Sequence, residues 1–149
     1  MKKHQNLFRD LQEDFRKMKK NLLVAQSGGP TAAINATLAG VIKQAIKEEQ
    51  IDQVYGACYG IQGVLEQKFV NLTEKVDTEE KLEKLKRTPA AALGSCRFKL
   101  NDIKEDDSQY QEIVDILHKM NIGYFVYIGG NDSMDTVAKL SAYCKEKGV

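Results

Sequence analysis

The residues best placed to do chemistry are two glycine pairs. Ser27-Gly28-Gly29-Pro30 follows the apolar run Leu22 to Ala25, and Gly129-Gly130-Asn131-Asp132-Ser133 follows the run Tyr124 to Ile128. Each stands where a buried strand hands over to a helix. A main chain without Cβ atoms lets its N–H groups approach an anion closely, and the adjoining helix N-terminus adds a favourable dipole. The spacing matches neither a Walker A loop, which requires Gly-Lys-Ser/Thr, nor the Gly-x-Gly-x-x-Gly dinucleotide fingerprint. A tight strand-to-helix turn accounts for either pair taken alone. Both in one small sheet point to a phosphate-handling cleft, with Gly28 and Gly29 as candidate N–H donors.

At the second pair, Ser133 reads either as a helix N-cap or as a cleft residue, and Asp132 either complements the helix dipole or acts on a ligand. A carboxylate in a phosphate cleft is costly unless it binds a metal or discriminates between substrates, which makes Asp132 the more informative residue. Between the pairs lies Leu93-Gly94-Ser95-Cys96-Arg97-Phe98, and no acid occurs from Ala90 to Leu100 to pair with Arg97 locally. Guanidinium geometry suits bidentate phosphate contact. His4 and His118 read as solvated residues, Cys96 as a packing thiol, and Tyr55, Tyr59 and Tyr127 as core or cleft-wall aromatics.

The elements that must position these groups follow from hydrophobic period. Leu22 to Gln26 reads as a first strand, and Ala33 to Lys47 as a helix with Ile34, Leu38, Val41, Ile42 and Ala45 on one face. Val54 to Tyr59 reads as a second strand, with Gly56, Gly60 and Gly63 punctuating it and the turn that follows. Asp77 to Arg87 is a charged helix closed by Pro89, Asp102 to Asp107 a surface turn, and Tyr110 to Met120 a further helix. Tyr124 to Ile128 is apolar or aromatic throughout, as for a parallel strand covered on both faces. The last helix runs from Ser133 to Lys147 and stops at Gly148. The alternation indicates an α/β fold: an open, mostly parallel three-layer sheet of Rossmann-like type, with ligands bound beyond the strands' carboxyl ends.

Composition sets the outer bounds. A chain of 149 residues, 42% hydrophobic and 29% charged, is ordinary for one globular domain. A net charge of +1 gives no global field to draw nucleic acid or a membrane surface. No apolar stretch reaches the ~20 residues of a membrane span, and the charged N-terminus lacks a secretory core, so a cytoplasmic location is expected. Cys58, Cys96 and Cys144 have no metal-ligand spacing. Residues 1–20 form a charged extension with Leu7, Leu11, Phe15 and Met18 at helical spacing, and Met18 is a candidate alternative start. Residues 21–149 carry the fold.

Taken in order, Ser27-Gly28-Gly29, Ile34-Asn35-Ala36, Tyr55-Gly56 with Gly60 and Gly63, Leu93 to Phe98, and Ile128 to Ser133 resemble the phosphofructokinase family. The resemblance implies phosphoryl transfer to the 1-hydroxyl of fructose 6-phosphate, with Mg²⁺, in a cleft between two α/β domains, by a protein that is a homo-oligomer when complete. It implies a donor-phosphate set of Gly28, Gly29, Arg97, Gly130, Asp132 and Ser133, with Arg97 bridging to the transferring phosphoryl group and Arg97 and Asp132 in catalytic roles. Asn131 falls where ATP-using members carry a metal-binding aspartate in Gly-Gly-Asp-Gly-Ser, and Asp132 falls at their glycine. A carboxylate there takes the space and charge of a nucleotide's third phosphate, so pyrophosphate is the expected donor. With Asn131 in place of aspartate, Mg²⁺ is expected to be held mainly by the diphosphate and water.

The effector arginines of allosteric bacterial members would fall at Ala39 and Lys43, so nucleotide regulation there is not expected. The family's general base lies in a Thr-Ile-Asp-Asn-Asp segment beyond the second glycine pair, and the chain ends before it. The expectation is therefore a donor-binding part that is inactive alone. The rival readings are an ATP-dependent enzyme and a non-catalytic phosphate-binding or assembly module.

Overall fold

A computed structural model describes residues 9–15, 18–29, 31 and 33–149. Strand β1 (Lys20–Gln26) is the centre of the sheet, because its side chains are buried alternately on both faces. Leu22 and Val24 join one apolar cluster, while Leu23 and Ala25 join the other. It pairs in parallel with β2 (Ile51–Ala57) on one side and β4 (Ile122–Ile128) on the other, and β3 (Phe69–Asn71) adds antiparallel to β2. The order is β3-β2-β1-β4.

Helices cover both faces, as the α/β reading requires. On one, α1 (Ile34–Ala45) buries Leu38, Ala39, Ile42 and Ala45 over Leu22, Val24 and Val54. The short α3 (Leu72–Lys75) and the charged α4 (Glu79–Arg87) extend that layer through Leu72 and Leu82. On the other face, α2 (Gly60–Leu65), α5 (Ser108–Lys119) and α6 (Asn131–Lys147) contribute Ile61, Val64, Ile113, Ile116, Leu140 and Tyr143. Gly148 ends α6 in the left-handed region at φ 71°, as a C-terminal glycine should.

Three expectations are corrected. Strand β4 is not covered on both faces along its length; it pairs only with β1, and among the described residues it forms the sheet's margin, with Tyr124 40% exposed. Its apolar run reflects burial at the carboxyl end, where Tyr127 is buried. The second strand stops at Ala57, and Tyr59 leaves extended geometry at φ 64° to start α2. Gly60 and Gly63 therefore lie inside a helix rather than in a turn. A Cβ on Gly63 would strike the Cys58 carbonyl, so the helix packs against the strand exit only because that atom is missing.

Period alone gave no sign of β3 and α3, which are three and four residues long. Within the extension, residues 9–15 are helical, but Leu11, Phe15 and Met18 are exposed; Leu7 lies outside the described residues. Among the described residues no helix is long and apolar enough to cross a membrane.

Candidate functional site

Strands β1 and β4 are parallel neighbours, yet the helix after β1 lies on one face and the helix after β4 on the other. The two chain exits therefore diverge from adjacent strand ends and leave a crevice, the usual ligand position of such sheets. Both glycine pairs open onto it. Ser27 N–H donates to the Ile128 carbonyl at 2.8 Å, and the Ser27 and Ser133 hydroxyls are in hydrogen-bond contact beneath the surface.

Ser133 is not the N-cap. Gly130 holds that position with extended backbone, and Ser133, in the first turn of α6, turns its buried side chain inward to Ser27. A Cβ on Gly129 would run into both hydroxyls, so the fold itself requires glycine there. Gly29 is required by its φ of +75°. Gly28 and Gly130 are different: an added Cβ meets nothing within 4 Å at either. The fold gives no steric reason for glycine at these two, which leaves bare main chain facing the crevice.

The third wall is the irregular stretch Leu93 to Leu100, which turns at Gly94 with φ +74°. Tyr59 N–H donates to the Leu93 carbonyl at 2.8 Å, and Leu93 N–H donates to Gln26 Oε1 at 2.9 Å, which ties the stretch to the end of β1. Cys96, Phe98 and Leu100 then pack toward the core while the alternate residues Arg97 and Lys99 are exposed. The resulting cleft, about 730 Å³, is lined by Gly28, Gly29, Arg97, Lys99 and residues 130–133, with Tyr127 in its wall.

Among the described residues three charged groups line it: Arg97, Lys99 and Asp132. Arg97 makes no ion pair among the described residues. Lys99 Nζ stands 3.9 Å from Asp132 Oδ1, with both side chains exposed. Asp132 and Asn131 thus sit at the mouth rather than in the floor. No group of three or more His, Cys, Asp or Glu among the described residues forms a ready metal cage. Tyr127 accepts a hydrogen bond from Ile61 N–H at 3.1 Å, and burial pushes its phenol above the ordinary value.

Sequence reading did not assign the device that holds this wall. Gln26 and Asn35 are both fully buried. Gln26 Nε2 donates to Asn35 Oδ1 at 3.1 Å; Asn35 also accepts from Ala92 N–H at 2.9 Å and donates to the Thr88 carbonyl at 2.7 Å. The available signal was a polar residue closing an apolar strand, and an amide at i−3 and i−4 from the buried Leu38 and Ala39.

A family model described as phosphofructokinase matches residues 21–148. The chain belongs to the phosphofructokinase family. It is 44% identical over 123 residues to the pyrophosphate–fructose 6-phosphate 1-phosphotransferase of Rhodospirillum rubrum, covering 83% of this chain and 29% of that one. It is 40% identical over 129 residues to the protein of the same name from Halomonas elongata, covering 86% and 30%. The crystal structure of a pyrophosphate-dependent phosphofructokinase from Nitrosospira multiformis superposes with a TM-score of 0.78 at 37% identity, covering 87% of this chain and 31% of that one. The chain thus spans about 30% of the length of these phosphofructokinase relatives. The cleft-lining residues fall within the stretch that the family model matches.

Proposed function

We propose that this chain provides the phosphoryl-donor side of a pyrophosphate-dependent phosphofructokinase, which phosphorylates fructose 6-phosphate to fructose 1,6-bisphosphate. The observation that carries the reading is the convergence of two glycine exits, on neighbouring parallel strands, upon one cleft that also holds Arg97 and the Asp132 carboxylate. The relatives named for pyrophosphate support the choice of donor.

In this reading the main-chain N–H groups around Gly28, Gly29 and Gly130 bind the diphosphate oxygens, aided by the N-terminus of α6. Such donors are fixed before the reaction and lose little in reorganisation, which is how electrostatic stabilisation acts on charge developing in phosphoryl transfer. Arg97, with no ion-pair partner among the described residues, neutralises charge on the transferring group. Ser133 holds Ser27 and keeps the two exits in register. Asp132 meets a donor's extra phosphate with like charge, which costs a nucleoside triphosphate more than a diphosphate.

The donor set suits Mg²⁺ in one particular way. One carboxylate with a neighbouring amide is too few ligands for an all-protein cage, but Mg²⁺ commonly keeps waters and binds through one or two carboxylates plus substrate phosphates. Asn131 and Asp132 are the residues that would face it, and the ion would neutralise phosphate charge. The test is steady-state phosphorylation of fructose 6-phosphate by the complete protein with either donor. Pyrophosphate is expected to support turnover and ATP to fail, with Asp132→Gly gaining ATP use; ATP outcompeting pyrophosphate in the unaltered protein sinks the reading.

A further inference from the structure

We propose that Lys99 is a binding residue of the donor site, partly offsetting the charge of Asp132 and giving a diphosphate a second cationic partner beside Arg97. The inference rests on the donor-site reading above and deepens it. Its first support is the pattern of burial. Burial alternates along residues 96–100: Cys96, Phe98 and Leu100 pack toward the core, and Arg97 and Lys99 are left exposed on the open side. Whatever aims Arg97 at the cleft aims Lys99 with it.

Charge supplies the second support. Asp132 is the sole carboxylate among the described cleft-lining residues, and it stands 3.9 Å from Lys99 Nζ. A carboxylate placed to repel a third phosphate also repels the first two unless a cation offsets it. Lys99 is positioned to do this, and Arg97 is left for the ligand. Lysine suits the task because its ammonium is a compact point charge on a flexible stem, able to face a carboxylate and a phosphate oxygen together. At 83% exposure the Lys99 side chain is free to make that adjustment.

The same exposure separates this role from a structural one. An exposed ion pair adds little to stability, so replacing Lys99 should leave the fold intact and change only anion binding. The experiment is calorimetric titration of the 149-residue chain with inorganic pyrophosphate in the presence of Mg²⁺. Lys99→Met should weaken binding roughly tenfold, the scale of one charge-assisted contact. Lys99→Arg should restore most of the loss. The Lys99→Met defect should shrink when Asp132 is already Asn, and it should shrink in high salt. Melting temperature should not move.

Pyrophosphate bound equally by Lys99→Met and the unaltered chain, while Arg97→Met loses it, overturns the role of Lys99 and leaves the donor site standing. An equal defect in the Asp132→Asn background overturns the charge-offsetting part of the proposal. No pyrophosphate binding by the unaltered chain overturns the donor-site reading, and the role of Lys99 with it.

Discussion

Gln26, the last residue of β1, and Asn35, in the first turn of α1, share a 3.1 Å hydrogen bond and together hold the stretch that carries Arg97. Gln26 Oε1 accepts from Leu93 N–H, while Asn35 binds Ala92 N–H and the Thr88 carbonyl. A strand end, a helix start and the third wall of the cleft are thereby fixed through two amides. Replacing Asn35 by Leu leaves Gln26 Nε2 with only a 3.3 Å bond to the Ile34 carbonyl and releases the Thr88 and Ala92 groups. Thr88 and Ala92 are exposed and find water instead, so the cost falls mainly on the buried Gln26 amide, and a loss of about 1–3 kcal/mol is expected. Urea denaturation measures it; a loss under ~1 kcal/mol would show the network to be dispensable.

The glycines of the two exits should separate into those the fold needs and those the ligand needs. Gly129→Ala collides with the Ser27 and Ser133 hydroxyls and should lower the melting temperature. Gly28→Ala and Gly130→Ala meet open space, so melting should hold steady while pyrophosphate binding weakens as the methyl groups push the anion off the amides. Differential scanning calorimetry with and without pyrophosphate reads both effects. Unchanged binding in both variants would remove these amides from the site.

Tyr127 gives the cleft wall an alkaline limit. Burial raises its phenol above 10.0, so the folded chain keeps this proton after the unfolded chain has lost it. Stability from this group is therefore complete below pH about 10 and falls as pH rises from the unfolded value through the folded one. Tyr110, also buried and also raised, acts in the same direction. Tyr127→Phe should lessen the alkaline loss without abolishing it, and should cost about 1 kcal/mol at neutral pH through the orphaned Ile61 N–H. Denaturation curves from pH 8 to 11.5 would show it, and identical alkaline slopes in the two proteins would refute the assignment.

These residues also show what the sequence made legible. Leu22 to Ala25 and the Ile34, Leu38, Ile42 period define β1 and α1 because burial on two sides or one leaves its own spacing in the chain. The two glycine pairs could be seen as strand exits, and parallel order put them at one end. The outward turn of Lys99 was hidden, since alternation along an irregular stretch is visible only once Leu93 is tied to Gln26. The inward turn of Ser133 was equally hidden, because a helix-start serine caps its own backbone unless another element, here Ser27, stands within reach. Strand β3 has three residues and no period to detect. Tyr59 starts α2 at a positive φ that its residue type does not announce.

Two helical glycines should respond to alanine with opposite signs, although helix propensity treats them alike. Gly40 sits mid-way along α1 on its exposed side, and a Cβ there meets nothing within 4 Å. Alanine recovers the backbone entropy that glycine forfeits, so Gly40→Ala should stabilise the chain by about 0.5–1 kcal/mol. Gly63 lies within α2, and its Cβ would fall onto the Cys58 carbonyl, where the neighbour is main chain and has no rotamer with which to give way. Gly63→Ala must instead move the helix off the strand exit, disturbing Ile61 and Val64 in the core, and should cost more than about 3 kcal/mol. Parallel denaturation of the two variants decides the matter. A Gly63→Ala protein as stable as the unaltered chain would mean that α2 does not pack this closely, and with it the Ile61 N–H that holds Tyr127 in the cleft wall would lose its place.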